Sequence, residues 1–553
     1  MITKIKFLTI AGLFASLFSN AQLMEKKAEF THADTLRGSL NANRDWWDVT
    51  SYSINVTPDY NTKTISAITR IDFKVLRAGK TMQIDLQQPM EIDSVFYDKG
   101  ERLTFKKDDI NTWLVTMPDK LKKNESITIY YHGKPREAIR PPWDGGWIWK
   151  KDEKGRPWMS VACQGLGASV WYPCKDIQSD EPDNGAELII NVPDTLVAVG
   201  NGRLAGVTKN NGIATYKWRV ADPINNYTII PYIGRYVNFT DTLMGEKGKL
   251  DLSYWVLDYN LDKAKEQFKQ AKLMLRAFEY WFGPYPFYED SYKLVEAPHL
   301  GMEHQSAVAY GNKYQNGYSG RDLSGTGWGL KWDFIIVHES GHEWFANNIT
   351  SKDLADMWIH EGFTNYSETL FTEFYYGKEA GNEYNVGIRK NIRNDGPIIG
   401  PYGVNKEGSG DMYYKGGNML HTIRHSMNDD EKFRGILRGL NKTFYHQTVT
   451  TAQVENYISK QAGFDYSKIF DQYLRTTQIP VLEYKVDSVA STVSVHWTNC
   501  VPGFNLPIVI TPTSKRILVT EKDQTIKLTS DELAWWNKKN IEHMFYITAK
   551  QKL

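Results

Sequence analysis

The chain has 553 residues, which is too long for one compact core and predicts about three or four domains. Lysine and arginine total 66 against 65 acidic residues, so the net charge of +1 gives no general attraction for nucleic acid or anionic lipid. The aromatic content (18 Trp, 32 Tyr and 23 Phe) is typical of a folded protein with substantial β structure and argues against long disordered regions.

The first residues, MITKIKFLTIAGLFASLFSNAQLMEKK, have the pattern of a secretory signal. Lys4 and Lys6 precede an apolar run from Phe7 to Phe18, and small residues follow up to Ala21. The run is shorter than the roughly 20 apolar residues that a membrane anchor needs. We therefore expect a cleaved signal peptide at residues 1–21, export to the periplasm or the extracellular space, and no stable membrane insertion.

Residues 45–246 consist of short alternating runs, such as SYSINVTPDY and ESITIYYHG, that end at Asp, Asn, Gly or Pro. This pattern predicts an N-terminal antiparallel β domain. Two of the three cysteines, Cys163 and Cys174, lie in it, and the third is Cys500. A disulfide between Cys163 and Cys174 and a pair of buried thiols are both compatible with the sequence.

Residues 247–478 change to helical periodicity. The segment LDKAKEQFKQAKLMLRAFEYWFG spaces its apolar residues by three and four and stops at Gly283 before Pro284, which predicts a helix with a defined end. Alternation returns at residues 479–553, which predicts a small C-terminal β domain. The sequence as a whole predicts an α+β multidomain protein, and it does not indicate an oligomeric state.

A metal-binding motif lies within VHESGHEWFANNITSKDLADMWIHEGF, residues 337–363. On a helix, His338 and His342 lie one turn apart on the same face, and Glu339 is rotated by about 100 degrees. His-Glu-x-x-His is the zincin signature, and zinc accepts two imidazoles and one carboxylate. The alternative is an interior hydrogen-bonded His–Glu pair with no metal.

The third ligand is expected at Glu361, which follows His342 after eighteen residues. It would complete a His2Glu set and leave a fourth position for water. A metzincin would need Gly and His at positions 345 and 348, where this chain has Phe345 and Asn348. Glu343 and His360 are the less favoured alternatives as ligands. We expect one Zn²⁺ ion per chain.

Further motifs occur in a fixed order along the chain: CQGLGASVWYPCKD from Cys163, GMEH at Gly301 to His304, HESGH at His338 to His342, and YYKGG at Tyr413 to Gly417. Together they resemble the gluzincin metallo-aminopeptidases of the aminopeptidase N and leukotriene-epoxide hydrolase type. The resemblance implies an N-terminal β saddle-like domain, a thermolysin-like α-rich catalytic domain and a small C-terminal β-sandwich. It also implies a zinc-dependent aminopeptidase that removes N-terminal residues from peptides with a free N-terminus.

The resemblance also implies roles for individual residues. Glu339 is the expected general base that takes a proton from zinc-activated water. Tyr413 is expected to stabilise the oxyanion, with Tyr414 as the rival assignment. The expected substrate-binding residues are Glu303, which would hold the α-ammonium group, and its helpers Gln164, Gly301, Met302 and Glu368.

Two positions depart from the family pattern, because His304 and His360 stand where the family has asparagine. Each is next to a residue of the predicted site, so they affect the expected residue preference or pH optimum. His304 is a candidate for titration near neutral pH, although an ordinary neutral histidine is the simpler expectation. An endopeptidase, an epoxide hydrolase and a silent binding module remain competing functions. GMEH argues against the endopeptidase, and the complete set of catalytic residues argues against the silent module.

Overall fold

The computed structural model describes residues 29–98, 100–511 and 513–552. The predicted signal peptide at residues 1–21 lies outside these described residues. Among the helices of the described ranges, none combines the length and the apolar character that crossing a membrane requires.

The N-terminal region begins with a short helix and continues as three β-sheets. The helix, α1 (His32–Gly38), starts with a capping box in which Thr31 and Asp34 bond to each other's backbone. The strands are β1 (Trp47–Asp59), β2 (Thr64–Val75), β3 (Thr81–Asp85), β4 (Glu91–Tyr97), β5 (Glu101–Leu103), β6 (Phe105–Asp109), β7 (Thr112–Thr116), β8 (Asn124–Gly133), β9 (Gly146–Lys151), β10 (Pro157–Ala162), β11 (Ala186–Pro193), β12 (Val197–Val199), β13 (Arg203–Asn210), β14 (Ile213–Val220) and β15 (Tyr232–Gly234).

The largest sheet of this region has eight strands in the order β13-β14-β11-β1-β2-β8-β4-β5. A four-stranded sheet, β12-β15-β10-β9, and a three-stranded sheet, β3-β7-β6, complete the region. Alternate residues of β2 are buried, as expected for strands with one face on a core. The sheets are antiparallel as predicted except that β1 pairs with β11 in parallel. Cys163 and Cys174 are buried free thiols, so the disulfide alternative is not realised.

The α-rich region is built around a five-stranded sheet in the order β16-β17-β18-β20-β19. Its strands are β16 (Tyr236–Gly245), β17 (Gly248–Leu257), β18 (Tyr292–Glu296), β19 (Gly301–Met302) and β20 (Val308–Tyr310), and a separate pair is formed by β21 (Ile349–Ser351) and β22 (Gln447–Val449). Its helices are α2 (Leu261–Gln267), α3 (Lys269–Phe282), α4 (Phe334–Gly341), α5 (Trp358–Tyr376), α6 (Lys378–Ile388), α7 (Tyr414–Met427), α8 (Asp430–Thr443), α9 (Thr451–Ala462) and α10 (Ser467–Arg475).

This sheet begins earlier than the predicted domain boundary at residue 247. Strand β16 lies before the boundary but pairs along its whole length with β17. Its alternating sequence is compatible with either region, and only its pairing partner assigns it to the α-rich one. Side chains such as Leu294 and Tyr310 pack into the α-rich core, whereas Val295, Met302 and Ala309 pack into the N-terminal core. The sheet therefore lies between the two cores, and its edge strand β19 carries the GMEH motif.

The C-terminal region has a four-stranded sheet, β27-β24-β23-β28, and a hairpin of β25 and β26. The bounds are β23 (Val481–Asp487), β24 (Thr492–Thr498), β25 (Asn505–Ile510), β26 (Lys515–Thr520), β27 (Gln524–Lys527) and β28 (Thr548–Gln551), with two short helices, α11 (Ser530–Trp535) and α12 (Lys538–Met544). Its buried side chains, such as Trp497, belong to the same core as the α-rich region. The predicted mixed architecture, with β-rich ends around an α-rich centre, is confirmed.

Candidate active site

The predicted metal ligands come from two helices that pack against each other. Helix α4 begins at Asp333, whose carboxylate accepts the backbone N–H groups of Ile335 and Ile336, and it carries His338. His342 follows directly after the last helical residue, one turn beyond His338. Glu361 lies in the first turn of α5. The structure therefore brings together the three residues that the sequence predicts as ligands.

The ligand atoms of this group converge in a buried position. Glu361 Oε2 lies 3.4 Å from His342 Nε2 and 3.9 Å from His338 Nε2. The three ligand atoms all lie within 4.8 Å of one another. All three atoms are buried and make no hydrogen bond within the described residues. Buried polar atoms without partners are costly, so this group fits a divalent cation better than a hydrogen-bonded His–Glu pair.

Nδ1 of each imidazole lies within hydrogen-bond distance of an acceptor on the side away from the ligand group. His338 Nδ1 lies 2.8 Å from Glu368 Oε1, and His342 Nδ1 lies 3.0 Å from the carbonyl oxygen of Phe345. These acceptors keep the proton on Nδ1 and leave the Nε2 lone pairs free for a metal. Burial lowers the pKa of His338 to about 3, which favours the neutral form that binds a metal. This donor set of two imidazoles and one carboxylate suits zinc.

Glu368 occupies a different position from the one expected for a substrate-binding residue. Its Oε1 faces His338, and its Oε2 accepts a hydrogen bond of 2.7 Å from the hydroxyl of Tyr384. Both carboxylate oxygens are therefore engaged behind the ligand. This is the position of a carboxylate that orients a metal-binding histidine.

The carboxylate of Glu339 lies beside the ligand group without joining it. Both of its oxygens are buried and make no hydrogen bond within the described chain. Burial and the nearby charge of Glu303 raise the pKa of Glu339 well above its ordinary value. A Cβ at Gly301 would lie 2.6 Å from Glu339 Oε1, so a glycine is needed there for the close approach of the two segments. Met302, the next residue, packs into the N-terminal core.

Tyr413 and Tyr414 face different neighbours. The ring of Tyr413 stacks on that of His338 with 6.2 Å between their centroids, and its buried hydroxyl has no hydrogen-bond partner among the described residues. Burial and then the charge of Glu361 raise the pKa of Tyr413. The pKa of Tyr414 is raised by burial and then by the charge of Glu368, which lies behind His338. The pKa of Tyr413 thus responds to the ligand carboxylate Glu361, whereas that of Tyr414 responds to the carboxylate behind His338.

Glu303 and Gln164 reach the same space from the N-terminal side. Glu303 Oε1 accepts a hydrogen bond of 2.8 Å from the hydroxyl of Tyr227, and its Oε2 is buried without a partner in the described chain. The amide nitrogen of Gln164 lies 3.3 Å from Glu361 Oε1, and its Oε1 is also without a partner there. Gln164 is half-buried, whereas the other predicted site residues are buried. Gln164 thus borders the opening of the site.

Two residues of this group have no signal in the sequence. Tyr227 lies in a 3₁₀ turn of the N-terminal region, far from any motif. Asn347 donates a hydrogen bond of 2.9 Å from Nδ2 to the carbonyl oxygen of Glu303. It lies five residues after His342, but its part in holding Glu303 depends on how two distant segments meet. Nothing in the local pattern distinguishes either residue from an ordinary packing residue.

The alternative ligands and the two unusual histidines are engaged elsewhere. Glu343 accepts hydrogen bonds from Tyr285 Oη at 2.8 Å and from the N–H of Ser306 at 3.0 Å. His360 Nε2 accepts the N–H of Ser351 at 2.8 Å. His304 contacts the hydroxyl of Tyr232 through Nδ1, and burial lowers its pKa well below the ordinary value. Burial thus favours the neutral form of His304.

Comparison with known proteins agrees with this geometry. Residues 266–473 match the Peptidase family M1 domain. The chain is 21% identical over 445 residues to leukotriene A-4 hydrolase of Xenopus laevis, an alignment that covers 75% of this chain and 69% of that protein. It is 23% identical over 352 residues to aminopeptidase B of Mus musculus, covering 59% of this chain and 51% of that protein. The chain thus spans about half the length of the second relative.

Solved structures share the fold. The M1 zinc metallopeptidase from Deinococcus radiodurans superposes with a TM-score of 0.67 at 20% identity, covering 80% of this chain and 97% of that one. A variant of that protein has been solved with a Tyr-Ser-Ala substrate, and it matches with a TM-score of 0.65 at 19% identity, covering 79% of this chain and 97% of that one. Those structures are named zinc metallopeptidases, and the grouped residues His338, His342 and Glu361 of this chain fit the one zinc ion that the sequence predicts.

Proposed function

We propose that this chain, which belongs to peptidase family M1 and is a peptide-bond hydrolase, is an aminopeptidase that removes the N-terminal residue of peptides. The observation that carries the proposal is the free carboxylate oxygen of Glu303. It is buried, it has no partner among the described residues, and it belongs to a group with Glu339 and His342 whose atoms all lie within 4.8 Å of one another. An unpaired buried carboxylate needs a cation, and the α-ammonium group of a peptide supplies one.

Binding of the amino end would use residues on the N-terminal side of the site. Glu303 Oε2 pairs with the α-ammonium group, and the side-chain oxygen Oε1 of Gln164 accepts a second N–H from it. The hydroxyl of Tyr227 keeps the other oxygen of Glu303 occupied, so the carboxylate is held in one orientation. Because both acceptors lie beside the metal ligands, this binding mode would bring the first peptide bond of the substrate next to the ligand group.

The metal site would be filled by zinc held by His338, His342 and Glu361. Zinc supplies a Lewis acid that polarises a carbonyl group and lowers the pKa of water to about 7. Glu339 takes the proton of the attacking water and later gives it to the leaving amine. Its two oxygens make no hydrogen bond in the described chain, so no protein group competes for that proton.

The hydroxyl of Tyr413 would donate to the oxygen of the scissile carbonyl as negative charge develops there. It is buried, unpartnered and beside His338, which is the geometry of a pre-organised donor. This assignment is preferred to Tyr414, whose pKa is raised by burial and Glu368, whereas that of Tyr413 is raised by burial and the ligand Glu361.

The test compares an amino-acid arylamide that has a free amine with the same compound after N-acetylation. We expect hydrolysis of the free compound only, abolished by a chelator and restored by zinc. Glu303→Ala should lower kcat/KM for the free compound by about 30-fold or more, because the charge of the substrate loses its partner. The control is Glu266→Ala, which removes an exposed carboxylate on α2 and should change nothing. Equal hydrolysis of the acetylated compound would show an endopeptidase and refute the proposal.

We also propose that the protein is exported, on the basis of the basic and apolar pattern at residues 1–21. The expected product of expression in a bacterial host is a secreted or periplasmic chain that begins near Gln22. Mass spectrometry of the intact purified protein measures this directly. An N-terminus at Met1 in the exported fraction would contradict it.

A further inference from the structure

The residues before the first strand contact the turn that carries Gln164. We call residues 29–44 the N-terminal segment. It contains α1 and ends at Arg44, whose side chain is 0% exposed and lies 3.1 Å from Asp85. The guanidinium of Arg44 also donates to the carbonyl oxygens of three residues at the end of α1, namely Leu36, Arg37 and Ser39. The segment is therefore fixed to the N-terminal β region by a buried ion pair and several hydrogen bonds.

Arg37, in the same helix, reaches from this segment to the turn that carries Gln164. Its guanidinium donates to the carbonyl oxygen of Leu166 and, at 2.8 Å, to that of Gly165. Its Nε lies 3.9 Å from Asp176, and its side chain is only 11% exposed. One planar group thus holds two consecutive carbonyls of the turn in a fixed direction, which a lysine could not do.

The turn itself is tightly packed and has little freedom to move. Gly165 and Gly167 have φ angles of +70° and +98°, which favour glycine. A Cβ at Gly167 would lie 2.1 Å from an oxygen of Asp176 and 2.9 Å from Arg37 Nη1. Arg37 and Asp176 therefore pack directly against the turn. Gln87 Nε2 also donates to the carbonyl oxygen of Leu166 at 2.8 Å, so these three side chains together hold the turn and with it Gln164.

The same turn is held from the α-rich region. Asn405 donates from its side chain to the carbonyl oxygen of Gly165 at 2.8 Å, and from its backbone N–H to that of Asp34 at 2.9 Å. Gly38 packs against Val404 so closely that a Cβ there would lie 2.3 Å from the backbone of Val404. The N-terminal segment thus connects both regions at the point where Gln164 reaches Glu361.

We propose that Arg37 is a positioning residue for substrate binding, which fixes the turn Cys163–Gly167 so that Gln164 meets the amino end of the peptide. The inference rests on the proposed function, because it takes Gln164 as an acceptor for the α-ammonium group. Arg37 itself does not touch the substrate. A displacement of the turn moves the amide of Gln164 away from the place where the ammonium group binds, and displacements of about 1 Å cost up to about 100-fold in efficiency.

The test is a double-mutant cycle in the zinc-loaded full-length protein with Arg37→Met, Gln164→Ala and the double variant. Arg37→Met should raise KM for a free-amine arylamide by about 10-fold or more and change kcat less than about 3-fold. Zinc content should stay at one per chain. The double variant should match Gln164→Ala within about 3-fold, because Arg37 acts through Gln164. The control Arg77→Met removes an exposed ion pair with Asp45, at a side chain that is 56% exposed, and should leave KM unchanged.

Arg37→Lys provides a second variant that keeps the positive charge if Arg37→Met folds poorly. It should raise KM by an intermediate amount, because an ammonium group cannot bond both carbonyls in the plane of the guanidinium. Losses that multiply in the double variant would overturn the inference, since they indicate an independent structural effect. An unchanged KM in both Arg37 variants would overturn it as well. If Gln164→Ala alone leaves KM unchanged, the role of Gln164 in the proposed function fails first and the inference falls with it.

Discussion

Replacing Tyr413 by phenylalanine removes one oxygen atom from the site and little else. The hydroxyl is buried and makes no hydrogen bond within the described residues, so its loss leaves no protein group unpaired. The ring keeps its stacking on His338. We therefore expect the free energy of unfolding to stay the same or to rise by up to about 1 kcal/mol.

The effect on catalysis should be much larger than the effect on stability. One pre-organised donor to a developing oxyanion is worth about 100- to 1000-fold in kcat, or about 2.7 to 4 kcal/mol. Because the interaction forms in the transition state, KM should change little. The combination of an unchanged fold and a large loss of kcat distinguishes a catalytic hydroxyl from a packing tyrosine.

The assay measures kcat and KM on a free-amine arylamide, together with zinc content and thermal unfolding. Tyr414→Phe is the matched control, because it makes the same change one residue along the chain, at a side chain near Glu368. We expect its kcat to stay within about 3-fold of the parent, well short of the loss from an oxyanion donor. Equal activity of the two variants, or a greater loss in Tyr414→Phe, would refute the assignment of Tyr413.

Other variants test the remaining parts of the site and fold. Glu339→Gln should lower kcat by at least about 100-fold with one zinc per chain retained by elemental analysis, and loss of the metal would contradict its role as a base. Glu368→Ala should weaken zinc binding by about 10- to 100-fold in a chelator competition, since His338 loses the acceptor at 2.8 Å. Ala346→Gly should raise the free energy of unfolding by about 1 kcal/mol in urea titrations, because Ala346 has a φ angle of +149°. Burial and then the charge of Asp290 raise the pKa of Asp222 to about 7, so the contribution of Asp222 to the free energy of unfolding is lost as the pH rises from about 4 to about 7. Asp222→Asn should flatten the dependence of the free energy of unfolding on pH and be more stable than the parent at pH 8 by about 1 kcal/mol. An unchanged pH profile would contradict the shift.

The metal ligands could be predicted because their geometry is local. The spacing of His338 and His342 fixes their directions once the segment is a helix. Glu361 needs only one further condition, that the next helix packs alongside, and the apolar residues of both helices make that packing favourable. The β-rich, α-rich and β-rich order of the chain followed in the same way from hydrophobic periodicity.

The parts that could not be predicted depend on contacts between distant segments. The alternation in Tyr236–Gly245 specifies a strand but not its sheet, and the pairing with β17 assigned it to the α-rich region. Tyr227 binds Glu303 across 76 positions in sequence, and Arg37 binds Leu166 across 129. A tyrosine or arginine with no motif around it carries no local signal for such a contact.

The spacing between Glu303 and the predicted metal ligand His342 is set by one short segment of chain. Directly after His342, the carboxylate of Glu343 accepts a hydrogen bond from the N–H of Ser306, and the side chain of Asn347 donates one to the carbonyl oxygen of Glu303. The loop that carries Glu303 is therefore tied to the same π-helical turn, Glu343–Asn347, that continues from the metal ligand. Because this connection is short and buried, opening of the cleft between the two regions would not change the distance from Glu303 to His342. In the proposed aminopeptidase, a fixed distance from Glu303 to the ligand group would restrict cleavage to the bond after the first residue, without any need for closure of the cleft.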